Sequence, residues 1–203
     1  LRVAAGEVLP ATQDELAIFG HSFEVRLYAE DVPKGFLPAT GTLAHLQFPE
    51  GARSDSGVRA GDTISPHYDP MIAKIITHGP TRAVALARMR SALSNTQVSG
   101  TVTNLKFLGA LAAHKGFSKG EVDTGLIARD IDDLVAAPMP TAADKALAAL
   151  AALDLLEADD WPTGFSLWAP MERSVALRFG EGEIAAKVSL TGANMAEVAL
   201  SDG

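Results

Sequence analysis

The sequence predicts a mixed fold of the α+β class in two units divided near residue 138, and three observations carry that reading. Short alternating or β-branched segments recur between residues 22 and 79, and two stretches with helical spacing follow them. The composition then breaks at Ala136-Ala137-Pro138-Met139-Pro140, where two prolines in a run of small residues read as a linker. Beyond it, one Ala/Leu-rich helical stretch precedes several short strand-like segments.

Each element has its own justification. Leu1, Val3, Ala4 and Val8 fall close to one helical face, and Leu9-Pro10 would end such a helix. In SFEVRLY (22–28), Phe23, Val25 and Leu27 alternate with Glu24, Arg26 and Tyr28, the pattern of a half-buried strand with a polar open face. GTLAHLQF (41–48) reads as a strand closed by Pro49-Glu50-Gly51, and RSDSGVRAGDTI (53–64) has the Gly, Asp and Ser density of a strand–turn–strand passage. PMIAKIIT (70–77) is apolar and β-branched enough for another strand.

Thr81 is the expected N-cap of a helix on which Val84, Leu86, Ala87, Met89, Arg90 and Leu93 keep helical spacing. A second helix is expected over Val102–His114, with Leu105, Leu108 and Leu111 on its buried stripe and Thr103 or Asn104 near its cap. Lys115-Gly116-Phe117 should end it. ADKALAALAALDLLEADD (143–160) is apolar almost all the way round, which predicts a long helix enclosed by other structure. FSLWAP, SVALRFG, EIAAKVSL and AEVALS then read as short strands separated by Gly-containing turns.

Composition sets limits on function. The 203 residues carry 17 basic and 25 acidic side chains, a net charge of −8, which argues against a general nucleic-acid binder. A local basic pocket for an anionic substrate stays compatible with that balance. There is no cysteine, so disulfides and thiolate metal sites are excluded, and a reducing compartment is compatible. No apolar run reaches the roughly 18 residues that span a bilayer. The first residue is Leu1 and the N-terminal stretch has no signal pattern, so a fragment or processed product is expected.

Few residues stand out chemically. Arg26, two positions from Glu24 and close to Glu30-Asp31, is either an anion-binding guanidinium or half of a surface ion pair, and spacing leaves both open. In SPHYDPMIAKIITH (65–78), His67 and His78 flank Tyr68, Asp69 and Lys74, but their spacing fits no standard zinc pattern. Asp69 could pair with Lys74 or hold a distant arginine. The glycines at 57 and 61 make no phosphate-binding motif, and neither a nucleophile elbow nor a His-Glu-x-x-His run occurs. Trp161 and Trp168 read as core or interface residues.

Six stretches, in order, carry a resemblance: GHSFEVRLYAED (20–31), FLPATGTL (36–43), RSDSGVRAGDTISPHYDPMIAKIITHG (53–79), RAVALARMRSAL (82–93), VSGTVTNLKFL (98–108) and FSKGEVDTGLI (117–127). Together they resemble the C-terminal part of the biotin carboxylase domain of biotin-dependent acyl-CoA carboxylase α subunits. FLPATGTL and HYDPMIAK resemble the 3-methylcrotonyl-CoA enzymes more than the propionyl- or acetyl-CoA enzymes. The resemblance implies an ATP-grasp lobe over 1–133, built from an antiparallel sheet with packed helices. It implies a ligase that activates bicarbonate with ATP and carboxylates biotin, using Mg2+.

By the same resemblance, Arg26 sits beside the biotin ureido oxygen and stabilises the negative charge that develops there, a task that suits a fixed pair of N–H donors. Asp69 anchors an active-site arginine from the N-terminal region, Arg53 lies near the dimer contact, and Leu126 meets the adenine ring. Lys74 is read as structural. The glycine-rich lid, the paired glutamates that hold Mg2+ and the bicarbonate-binding residues do not match anything in this chain, which by itself is therefore expected to be inactive. After a linker at 134–140, residues 141–203 resemble more weakly the domain that binds the carboxyltransferase β subunit, a central helix wrapped by an antiparallel β barrel. No Ala-Met-Lys-Met biotinylation motif occurs, and Lys187 in AAKVSL does not replace it.

The implied partners are the β subunit, the biotin carboxyl carrier domain of the same α subunit, and a second copy of the lobe. The implied compartment is the cytoplasm of a bacterium or the mitochondrial matrix of a eukaryote. Two rival readings remain at this stage: a binding module for the β subunit or for dimerisation, and a propionyl- or geranyl-CoA carboxylase α subunit.

Overall fold

Hydrophobic side chains gather into two separate cores, one under a mixed set of strands and helices and one under a small sheet. The computed structural model describes residues 1–136, 139–156, 168–179, 182–192 and 195–202. The chain divides into a unit of Leu1–Ala136 and a unit of Ala137–Gly203.

The first unit contains β1 (His21–Tyr28), β2 (Glu30–Asp31), β3 (Leu37–Pro38), β4 (Gly41–Thr42), β5 (His45–Gln47), β6 (Arg53–Ser56), β7 (Thr63–Ile64) and β8 (Met71–Gly79). Then follow α1 (Arg82–Asn95), β9 (Gln97–Ser99), α2 (Leu105–Ala113), α3 (Lys115–Lys119), α4 (Leu126–Arg129) and α5 (Ile131–Val135). An antiparallel sheet of order β1-β8-β6 is its centre, with pairs β2-β3, β4-β7 and β5-β9 beside it. Alternation along β8 decides what the sheet buries. Ala73, Ile75 and Thr77 are buried while Lys74, Ile76 and His78 are not, the expected consequence of a period of two residues.

Helix α1 covers the buried side with Ala85, Leu86, Met89, Ala92 and Leu93. It comes so close that a Cβ on Gly79 would meet Ala85 N at 2.5 Å, and buried Thr77 donates its hydroxyl to Ala85 O at 3.0 Å. Thr81 caps the helix by accepting Val84 N–H at 3.3 Å, as its sequence position predicts. Arg82, at the start of α1, lies over the rings of Phe23 (4.8 Å) and Phe117 (5.7 Å) and ties α3 to β1.

The second unit is α6 (Ala142–Ala152) against a sheet of order β10-β11-β12, formed by Met171–Phe179, Gly182–Gly192 and Met195–Leu200. Thr141 and Asp144 make a reciprocal capping box at the start of α6. Ala149, Leu153, Ala186, Val188 and Leu190 form its buried centre.

Five expectations need correction. The predicted long, enclosed helix is only the 11-residue α6: among its residues only Ala149 is buried, and Leu147 is 56% exposed. A single sheet covers one helical face, and the chain leaves the helix at Leu153, with Asp154 in a left-handed conformation (φ 55°). The barrel-like unit is a three-stranded open sheet among the described residues. Leu1–Val8 forms turns rather than a helix, with Leu1 and Val8 fully solvent-facing and no core to define an apolar side. GTLAHLQF splits into β4 and β5, because the two halves pair with different partners, β7 and β9. Lys115-Gly116-Phe117 lies within the short helix α3, which His114 caps by accepting Phe117 N–H at 3.3 Å. Trp161 and the start of FSLWAP lie outside the described residues.

Candidate active site

The face of the central sheet opposite the helices is charged, and strand registry sets its pattern. Glu24, Ile76 and Arg53 lie in one row across β1, β8 and β6; Arg26, Lys74 and Asp55 lie in the next. Side chains two residues apart on a strand share a face, so all of these point the same way.

Arg26 projects from this face with its side chain 60% exposed, and among the described residues its one ion-pair contact is Glu24, at 3.7 Å. That distance is too long for a tight charge-assisted hydrogen bond, so the guanidinium keeps donor capacity for an anion. Arg53 is engaged differently. Its Nε and Nη2 donate to the two oxygens of Asp55 at 3.0 and 2.9 Å, the fork geometry of a bidentate pair. These hydrogen bonds hold the Asp55 carboxyl below its ordinary range and push Arg53 further up. Lys74 adds to the effect on Asp55 through its charge.

Asp69 stands in the turn before β8, where its Oδ1 accepts Met71 N–H at 2.8 Å. A cleft of about 290 Å³ there is lined by Asp69 and Tyr68 together with Asp55 from the charged rows. Glu30 is close enough that burial first, and the charge of Asp69 second, raise its pKa. Leu126 is 3% exposed and packs in the first core at the start of α4.

The histidines do not assemble a metal site. The ring of His78 donates to Phe19 O at 2.7 Å, and the backbone N–H of His67 reaches Ser65 Oγ at 3.4 Å. Among the described residues, no group of three His, Asp or Glu side chains is arranged to hold a metal ion. The described residues therefore offer no cluster of protein ligands for the implied Mg2+ ion.

Sequence reading placed Asn104 near a helix cap and missed its bonds to the strand that carries Arg26. Asn104, 5% exposed, accepts Tyr28 N–H at 2.9 Å and donates to Arg26 O at 3.2 Å. A polar residue before a helix signals a cap, yet Asn104 makes no side-chain cap bond to α2. Its partners lie more than 70 residues earlier, beyond the reach of any local pattern.

Residues 24–129, which include the charged rows and Arg26, match the family described as the biotin carboxylase C-terminal domain. The chain belongs to that family. It is similar to the mitochondrial methylcrotonoyl-CoA carboxylase α subunits of Oryza sativa subsp. japonica, with 51% identity over 66% of this chain and 19% of the relative, and of Arabidopsis thaliana, with 50% over 67% and 19%. Among solved structures it is similar to the biotin carboxylase domain dimer of Hydrogenobacter thermophilus 2-oxoglutarate carboxylase, determined with MgADP, ADP and bicarbonate. The TM-score is 0.65 at 36% identity, over 68% of this chain and 31% of that one. The biotin carboxylase subunit of a pyruvate carboxylase gives a TM-score of 0.64 at 32% identity, over 68% and 31%. The chain thus spans about a fifth of the length of the curated relatives it matches. Within the biotin carboxylase C-terminal domain, the helices cover one side of the central sheet and the charged rows occupy the other. Among the described residues no helix is long and apolar enough to cross a membrane.

Proposed function

We propose that this chain is part of the α subunit of a biotin-dependent acyl-CoA carboxylase of the methylcrotonoyl-CoA type, an ATP-dependent ligase that carboxylates biotin. The observation that carries the reading is the family match across the charged face, together with about 50% identity to methylcrotonoyl-CoA carboxylase α subunits. On this reading ATP supplies the activation of bicarbonate, and the ATP and Mg2+ sites require polypeptide beyond these residues. The 203 residues alone have no carboxylase activity.

Arg26 faces the ureido oxygen of biotin and holds the negative charge that grows there as the ring nitrogen becomes nucleophilic. An exposed guanidinium with only a 3.7 Å contact to Glu24 suits this role, because its donors need not be stripped from a tighter partner. Asp69 receives an arginine from the N-terminal part of the enzyme, and Glu30 beside it supplies the second negative charge of that anchor. Arg53, stiffened by Asp55, lies toward the contact with a second copy. An adenine contact at Leu126 requires the α4 region to open, since the side chain is buried in the core.

Residues 1–133 belong to the carboxylase lobe, 134–140 to the linker, and 141–203 to a helix-and-sheet unit that docks the carboxyltransferase β subunit. The carrier domain of the same α subunit delivers biotin to the face bearing Arg26. The mitochondrial names of the relatives support the matrix in a eukaryote, and the cytoplasm is the corresponding place in a bacterium. The test is Arg26→Ala in the full-length α subunit. Free-biotin carboxylation should fall by roughly 100-fold or more with the fold intact, as expected for a lost oxyanion donor. An unchanged rate would remove Arg26 from the reaction.

A further inference from the structure

Among the described residues, the strand that carries Arg26 is an edge strand: β1 pairs with β8 and with no other strand. Backbone groups on its outer edge would be unsatisfied or left to water unless something replaced a neighbouring strand. At the end that bears Arg26, Asn104 makes that replacement with three hydrogen bonds. Its Oδ1 accepts Tyr28 N–H (2.9 Å), its Nδ2 donates to Arg26 O (3.2 Å), and its own N–H donates to Tyr28 O (3.1 Å).

The place is a critical one. Registry between β1 and β8 shifts between Leu27 and Tyr28, so the inner edge is irregular where the outer edge lacks a strand. Asn104 is itself immobilised: it is 5% exposed and its carbonyl accepts Leu108 N–H at 3.0 Å, so it moves only with the first turn of α2. Both amide ends of its side chain are used, and no cap bond to the helix competes for them.

We infer that Asn104 is a positioning residue for Arg26, fixing the backbone from which the guanidinium reaches biotin. The inference rests on the role proposed for Arg26 above. A long side chain on a loosened edge strand would sample many directions, and displacement of about 1 Å at a reacting centre can cost roughly 100-fold in rate. The substitution that isolates the effect is Asn104→Asp, which keeps the size and the acceptor for Tyr28 N–H. It replaces the donor to Arg26 O with a carboxylate oxygen that repels that carbonyl.

The experiment uses the full-length α subunit and follows carboxylation of free biotin. Asn104→Asp should lower kcat about tenfold and leave the KM for ATP unchanged, because Arg26 is assigned to biotin. In an Arg26→Lys background, which retains a displaceable cation, the same substitution should cost less than about threefold, since coupled residues are non-additive. A wild-type kcat for Asn104→Asp overturns the inference, and so does an equal tenfold loss in both backgrounds or a matching rise in the KM for ATP. Failure of the Arg26 role shows separately, as a wild-type rate in Arg26→Lys and Arg26→Ala. If Asn104→Asp does not fold, hydrogen exchange of the unsubstituted protein decides: a protected Tyr28 amide supports the clamp, and exchange at the rate of an open loop overturns it.

Discussion

Arg26 and Lys74 are cross-strand partners on the open face of the sheet, and Asp55 follows Lys74 in the same row across β6. Two cations side by side raise the local positive potential, while Asp55 is drawn toward Arg53 by paired hydrogen bonds. The row is thus biased toward accepting a negative charge near Arg26 despite the acidic balance of the whole chain.

That arrangement predicts an asymmetric response at position 74. Lys74→Glu places a carboxylate opposite Arg26 and gives the guanidinium a competing partner, so biotin carboxylation by the full-length protein should fall at least about tenfold. Lys74→Met, which removes the charge alone, should cost less. Steady-state rates of the two variants check the order, and equal rates would show that Lys74 does not act on Arg26.

Glu30 predicts a pH-dependent gain in stability. Burial and the neighbouring Asp69 raise its pKa above the ordinary value of 4.5, so the folded state holds this proton more tightly than the unfolded chain. Its contribution is fully present below the ordinary value and is lost as pH rises through the raised one. Glu30→Gln should therefore raise the Tm at pH 7 and leave it unchanged below about pH 4. Thermal melts at the two pH values make the comparison, and a lower Tm at pH 7 would contradict it.

Gly100 predicts a strict requirement for glycine. Its φ is +106°, and a Cβ there would meet Thr42 O at 1.9 Å and Ala44 N at 2.6 Å, both backbone atoms. Gly100→Ala should disrupt the β5–β9 pairing and the following turn that leads to Asn104, lowering stability by about 2 kcal/mol or more. Denaturant titration measures the loss, and wild-type stability would show that the turn accommodates a side chain.

The two cores predict separable damage. Ile75 and Val188 are both fully buried, each in its own cluster. Ile75→Ala should destabilise the first unit by about 2–5 kcal/mol, with Val188→Ala costing the second on the order of 2 kcal/mol. Hydrogen exchange should report lost protection in the substituted unit alone. Loss spread evenly over both would mean that they unfold together.

Much of the first unit is legible along the chain because its signals are local. The alternation in SFEVRLY puts Glu24 and Arg26 on one face and Val25 and Leu27 on the other, as the structure does. Thr81 marks the start of α1 because a capping hydroxyl acts within one helical turn. The family was readable from six ordered motifs and agrees with the match over residues 24–129. The expected enclosed helix failed because an apolar Ala/Leu run reports what could be buried, while the amount of sheet available sets what is buried.

Periodicity assigns a face to each side chain, and short-range chemistry assigns caps and turns. Neither can reveal which strands are neighbours or where registry slips. The rows Glu24–Ile76–Arg53 and Arg26–Lys74–Asp55 exist only once β1, β8 and β6 pair in one register, since that pairing alone joins residues some 50 positions apart. Asn104 reads as an ordinary cap until folding brings β1 against the start of α2. Hydrogen bonds between distant segments obey geometry rather than sequence spacing, so the backbone support beneath Arg26 became visible only in three dimensions.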